Sequence, residues 1–204
     1  VNRSWLERLS QALLREPQDR EQLVELLRDA EQRNLLDAQA LAMIEGVLQI
    51  SEMQVRDIMI PRAHMIAVEE DNKLSEFLPA VIESGHSRFP VVGENRDEVV
   101  GILLAKDLLR YTDASNQKFN IQDLLRQTLF VPESMHLDKL LQEFRRTHNH
   151  MAIVVDEYGG VAGLVTIEDV LEQIVGEIED EYDIDDEAFI KKLSEKLYDN
   201  VTKL

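Results

Sequence analysis

Thr166 and Asp169 stand three residues apart, just ahead of the apolar positions Val170 and Leu171. A Thr hydroxyl followed at that spacing by a carboxylate satisfies the reciprocal capping pattern of a helix start, with Asp in place of the usual Glu or Gln. The same arrangement has a second use. A helix N-terminus turns free N–H groups and a positive dipole end outward, and both suit a phosphate. The Thr hydroxyl adds a contact, the Asp carboxylate one turn in can accept from sugar hydroxyls, and Glu168 is a further polar contact. Arg88 precedes the strand-like run Phe89-Pro90-Val91-Val92. It is either an exposed strand-end arginine or an anion clamp, since its fork of donors matches phosphate oxygens. The residues leave both readings open at both places.

Other chemistry is poorly represented. There is no Cys, so disulfides, thiolate metal sites and cysteine nucleophiles are excluded. No HExxH, nucleophile elbow or phosphate-binding glycine loop occurs. His148 and His150 read as lying on one side of a strand and, with Asp156, suggest a metal site; a polar turn leading into a strand is the favoured reading. Glu177 to Glu187 holds eight acids in eleven residues and no base. Such a block reads as a solvated linker. Hard divalent cations favour carboxylate oxygens, but the spacing is not that of a calcium loop, and no dedicated metal site is expected.

The elements that must position these residues come from an internal repeat. Val55-Arg56-Asp57-Ile58-Met59 resembles Ile121-Gln122-Asp123-Leu124-Leu125. Leu74 to Glu83 and Leu137 to Arg146 are both apolar-periodic helices. Phe89-Pro90-Val91-Val92 matches Ala152-Ile153-Val154-Val155, and Val100 to Leu109 aligns with Ala162 to Leu171. The offset is 63 residues from Val68 to Val131 and 62 from Gly101 to Gly163, so one single-residue indel falls in the hairpin turn between them. Each unit reads as short helix, strand, helix, strand, turn, strand, helix. Sixty residues with helices on one face of a three-stranded sheet make a small core. Two units packed sheet against sheet solve that, which predicts a pseudo-two-fold pair with clefts where the units meet.

Before the repeat the chain reads as helical. Ser4 and Glu7 have capping-box spacing, Pro17 breaks the first helix, and Leu23, Leu26 and Leu27 share a face of a second that ends near Asn34. Asp37 caps a third carrying Leu41, Ile44, Val47 and Leu48. The chain has 204 residues and a net charge of −18. That balance excludes a surface gripping polymeric nucleic acid and disfavours anionic membranes. No apolar run has the ~20 residues that span a bilayer, so no direct membrane insertion is expected.

The run Gly163-Leu164-Val165-Thr166-Ile167-Glu168-Asp169-Val170-Leu171-Glu172 resembles the ending of nucleotide-binding CBS motifs. More narrowly, Asp57-Ile58-Met59-Ile60-Pro61-Arg62, His86-Ser87-Arg88-Phe89-Pro90-Val91, Asp156-Glu157-Tyr158-Gly159-Gly160 and Val175-Gly176-Glu177-Ile178-Glu179-Asp180-Glu181 together resemble the CorC branch of the CorC/CNNM/haemolysin-C-like family. The CBS likeness covers roughly residues 55 to 175.

The resemblance implies an α/β (α+β) fold of tandem CBS repeats, a Bateman module. The expected division is a helical extension over 1–54, repeat one over 55–114, repeat two over 115–176, and an acidic linker with a truncated C-terminal region over 177–204. It implies a regulatory, non-catalytic module that binds adenine nucleotide, ATP or AMP, alone or with Mg²⁺, in an assembly exporting magnesium and cobalt. The implied contacts are Arg88, Thr166, Asp169 and Glu168, with Ile66, Phe89 and Pro90 as an apolar slot for adenine or as plain core. The pseudo-symmetric site pairs Met151 with Leu104, Lys106 and Asp107; it lacks the hydroxyl and the arginine and is expected to be weak or empty. A homodimer through the CBS pairs, an ion-transport protein partner, and a cytoplasmic place at the inner face of the membrane complete the expectation. The competing readings are a structural dimerisation module with a degenerate site and, ranked low, a nucleotide hydrolase.

Overall fold

The structure, a computed structural model, describes residues 17–94, 98–111 and 119–176. The first expected helix, around Ser4 and Glu7, and the acidic block from Glu177 lie outside the described residues. Helix α1 (Arg20–Gln32) starts where the Asp19 carboxylate accepts from the Gln22 N–H at 2.9 Å. It stops before Asn34, whose φ of 57° is left-handed. Helix α2 (Ala38–Gln49) is capped by Asp37, whose carboxylate accepts from the Ala40 N–H at 2.7 Å.

Repeat one follows as helix α3 (Val55–Ile58), strand β1 (Ile60–Pro61), strand β2 (Val68–Glu69), helix α4 (Leu74–Ser84) and strands β3 (Arg88–Val92) and β4 (Val99–Leu104). Repeat two supplies β5 (Leu129–Pro132), helix α5 (Leu137–Thr147), β6 (Met151–Val155), β7 (Val161–Thr166) and helix α6 (Ile167–Val175). In each, a parallel pair (β2–β3, β5–β6) is extended by an antiparallel hairpin (β3–β4, β6–β7). The second hairpin turns on Asp156, whose carboxylate accepts from the N–H groups of Tyr158 and Gly160, with Gly159 at a φ of +83°.

The sheets are not self-contained. β1 lies at the start of repeat one yet pairs antiparallel with β7 of repeat two, giving the order β1-β7-β6-β5. Arg126, in the lead-in to repeat two, makes the reciprocal bridge to Ile102 on β4. The repeat-aligned glycines make this exchange possible. A Cβ on Gly163 would collide with the Ile60 carbonyl oxygen, and one on Gly101 would come within 2.8 Å of the Leu125 Cβ. Each lead-in strand therefore crosses onto the other repeat's sheet at a position where only hydrogen fits.

Three apolar clusters result. One lies under the helices of repeat one, around Phe77, Phe89 and Leu103. A second lies under those of repeat two, around Leu137, Leu140 and Phe144. The third, with Val92, Ile102, Ile153 and Leu164, joins the inner faces of the two sheets. Ile50 and Ile174 belong to the second cluster or pack against it, so the helical extension is seated on repeat two. There α2 meets α6 closely, for a Cβ on Gly46 would lie 2.7 Å from the Ile174 carbonyl oxygen.

Candidate functional site

Thr166 ends β7 and caps α6. Its Oγ1 accepts from the Asp169 N–H at 3.2 Å, and an Asp169 carboxylate oxygen accepts from the Thr166 N–H at 2.7 Å. The Ile167 N–H donates to the His150 carbonyl at 3.0 Å. Of the four donors that a helix start leaves over, the Glu168 N–H remains for an outside acceptor among the described residues. The Thr166 hydroxyl proton is also uncommitted, because Oγ1 is used there as an acceptor.

Arg88 opens β3, paired with Leu104, and Met151 opens β6, paired with Thr166. These four residues meet where the sheets face each other, and a cleft opens on either side of them. The first, about 320 Å³, is lined by Arg88, Thr166, Glu168 and Ile66, together with His64 and His86. Ile66 is 41% exposed, an uncovered aliphatic group in the wall of this cleft. Arg88 lies 3.8 Å from the Glu168 carboxylate, and His150 Nδ1 lies 3.7 Å from the same oxygen. With Glu168 60% exposed, solvent screens both contacts.

Three expected contacts do not line this cleft. Phe89 follows Arg88 on a strand, so its side chain points to the other face, and it is fully buried in the core of repeat one. Pro90 is buried in register with Ile102. Asp169 stands beside the cleft rather than in its lining, with one carboxylate oxygen spent on the cap it forms and the other left over. The slot is instead furnished by Ile60, Met65 and Leu164, which belong to the inter-sheet cluster.

The second cleft, about 340 Å³, is lined by Arg88, Lys106, Arg126, His148, His150 and Leu104, among others. It departs from the expectation in two ways. It does contain an arginine, because Arg88 stands at the pseudo-two-fold centre and faces both clefts, and Arg126 adds another. It does not contain Asp107, which is 7% exposed and accepts from Arg126 at 3.0 Å. Leu104 offers no capping hydroxyl where Thr166 does, and the segment Ala105–Tyr111 winds as a 3₁₀ helix. His148 and His150 do not share a strand. His148 ends α5 with a φ of 56° and His150 precedes β6. Among the described residues no group of three metal-binding side chains converges.

A model of the CBS domain matches residues 55–113 and 121–176, and one of the N-terminal region of NMB0537 matches 15–50. A protein of Vibrio cholerae named magnesium and cobalt efflux protein CorC is 50% identical over 196 residues, covering 96% of this chain and 67% of its own. The chain belongs to the CorC family. The CorC protein of Escherichia coli is 51% identical over 186 residues, 91% of this chain and 64% of that one. The chain thus spans about two thirds of the length of these CorC relatives. A solved CBS domain of a bacterial CNNM/CorC family Mg²⁺ transporter is 44% identical, with a TM-score of 0.73 over 79% of this chain and 99% of that one. Another, in complex with ATP, is 47% identical, with a TM-score of 0.63 over 67% and 96%. A CBS-domain pair from Klebsiella pneumoniae with bound AMP is 30% identical, with a TM-score of 0.54 over 61% and 99%. No helix among the described residues is long and apolar enough to cross a membrane.

Proposed function

We propose that this CorC-family module senses adenine nucleotide in the first cleft. The observation that carries the reading is that Arg88 from repeat one and Thr166 from repeat two converge on one cleft. The ATP and AMP complexes of related domains support it. In this reading Arg88, the Thr166 hydroxyl and the Glu168 N–H take the phosphates, and Ile66 lies along the base. Asp169 reaches the ribose hydroxyls with the carboxylate oxygen that the cap leaves over. Mg²⁺ arrives as the counterion of ATP phosphates. In this reading the module acts by binding.

A ligand that touches both repeats favours the packing in which they are closed. It biases a partner only by its difference in affinity for the two packings. We infer that the biased assembly, a homodimer through the CBS pairs at the cytoplasmic face of the membrane, belongs to magnesium and cobalt efflux. Titration calorimetry with ATP, ADP and AMP is expected to show one nucleotide per chain. Thr166→Ala combined with Asp169→Ala should weaken it about tenfold or more, the loss of roughly two hydrogen bonds to charged or polar groups. No heat and no thermal stabilisation at millimolar nucleotide would leave the structural-module reading in its place.

A further inference from the structure

We propose that the second cleft binds a phosphate oxyanion and takes no nucleoside. Among the described residues its lining contains three permanent cations, Arg88, Lys106 and Arg126, and two histidines, and no carboxylate. Two carboxylates stand at its margin. Asp107 is engaged by Arg126 at 3.0 Å, and Glu168 lies 3.8 Å from Arg88. Setting those two against the three cations leaves one net positive charge before either histidine protonates, in a chain whose total is −18. Lys106 makes no ion pair among the described residues. The walls include Ile102, Leu104 and Met151, and apolar walls focus the field of the cations into the space between them. Gln127 and Asn149 add neutral amide donors.

The features that would select a nucleoside are missing for identifiable reasons. Leu104 replaces the hydroxyl, and the acid in the place of Asp169 is buried under Arg126 instead of facing a sugar. What remains is charge without a ribose acceptor. The inference does not require nucleotide in the first cleft. The oxyanion has two sources, a free phosphate compound or the distal phosphates of a nucleotide seated next door, since Arg88 and Met151 line both clefts.

Calorimetry on the whole chain at low salt separates them. The titrants are pyrophosphate, tripolyphosphate, AMP and ATP; the proteins are wild type, Lys106→Glu and Lys106→Arg. Lys106 is exposed, so both variants should fold. A free anion is indicated when pyrophosphate or tripolyphosphate binds and Lys106→Glu weakens it about fivefold or more while Lys106→Arg keeps it. A nucleotide tail is indicated when the free anions give no heat but Lys106→Glu weakens ATP about fivefold and leaves AMP unchanged. Free-anion binding indifferent to Lys106→Glu, or no free-anion binding together with an unchanged ratio of ATP to AMP affinity, overturns the proposal. Absence of binding by both nucleotides would count against the first cleft, and the pyrophosphate arm would still decide the second.

Discussion

In the proposed reading Thr166 serves two ends, the cap and the ligand, and the two can be measured apart. Its Oγ1 holds the Asp169 N–H, so Thr166→Ala removes an N-cap, and the nucleotide-free protein should lose about 1 kcal/mol in urea unfolding. Thr166→Ser keeps the capping oxygen and should lose little. An affinity loss well beyond that small stability change, in protein still folded, belongs to the ligand. A second residue-scale expectation concerns Glu143 on α5. The side-chain hydrogen bond from Arg146 is the main cause holding its carboxyl below the usual glutamate range, helped by the guanidinium charge and opposed by slight desolvation. A pKa lowered on folding adds stability above the unfolded value and loses it as pH falls through the folded one. For so exposed a pair the contribution is small. Carbon-detected NMR titration should place Glu143 below ordinary glutamates in the wild type and return it upward in Arg146→Gln. At this scale, Arg88, Thr166, Glu168 and Ile66, which line the first cleft, were legible from their places in the motifs. Arg126 was not, since it lies one residue beyond the matched run Ile121 to Leu125. For Phe89 the sequence leaves slot and core open, because a strand sends neighbouring side chains to opposite faces and the motif does not say which face is the cleft.

At the scale of elements, the glycines separate what pattern reveals from what it hides. The hairpins, the caps at Asp37 and Thr166 and the repeat itself were readable from spacing alone. The exchange of lead-in strands was not, because β1 is two residues long and so short a strand shows no alternation and names no partner. Gly101 and Gly163 held the signal as an aligned pair, though small residues in strands have several causes. In an ordinary helix interior Gly→Ala stabilises by about 1 kcal/mol. At Gly46 the sign should reverse, because the added methyl meets the backbone of α6 at Gln173 and Ile174 and the backbone cannot step aside as a side chain can. Gly163→Ala should be worse, since it drives β1 off β7. Destabilisation of about 1–3 kcal/mol is expected for both, with Gly163→Ala at the upper end. Chemical unfolding reads the difference directly, and a Gly46→Ala protein more stable than wild type would show that α2 does not press on α6.

Across the whole molecule, the candidate site and the helical extension are joined by one short rod. Helix α6 begins at the first cleft, with Thr166 as its cap, and its far end carries Ile174, against which Gly46 of α2 is pressed. The extension is thus attached to the same nine-residue element whose N-terminus faces the proposed phosphates. Nine residues rise only about 14 Å, and a helix this short moves as a body more readily than it bends. The inter-sheet cluster ties the repeats together through Ile102, Ile153 and Leu164, so closing the first cleft acts on both sheets as well as on α6. A ligand that steadies α6 must then steady what leans on it, and the thermodynamics is reciprocal: whatever loosens α2 must weaken nucleotide binding by the same factor. Hydrogen exchange tests this without any mutation. Saturating ATP should slow exchange in α6 and also in α2, which ends 11 residues before β1 begins and holds no proposed ligand contact, while the hairpin tip around Tyr158 stays unchanged. Protection confined to the residues that line the cleft would mean that α2 rides on the module without sensing it.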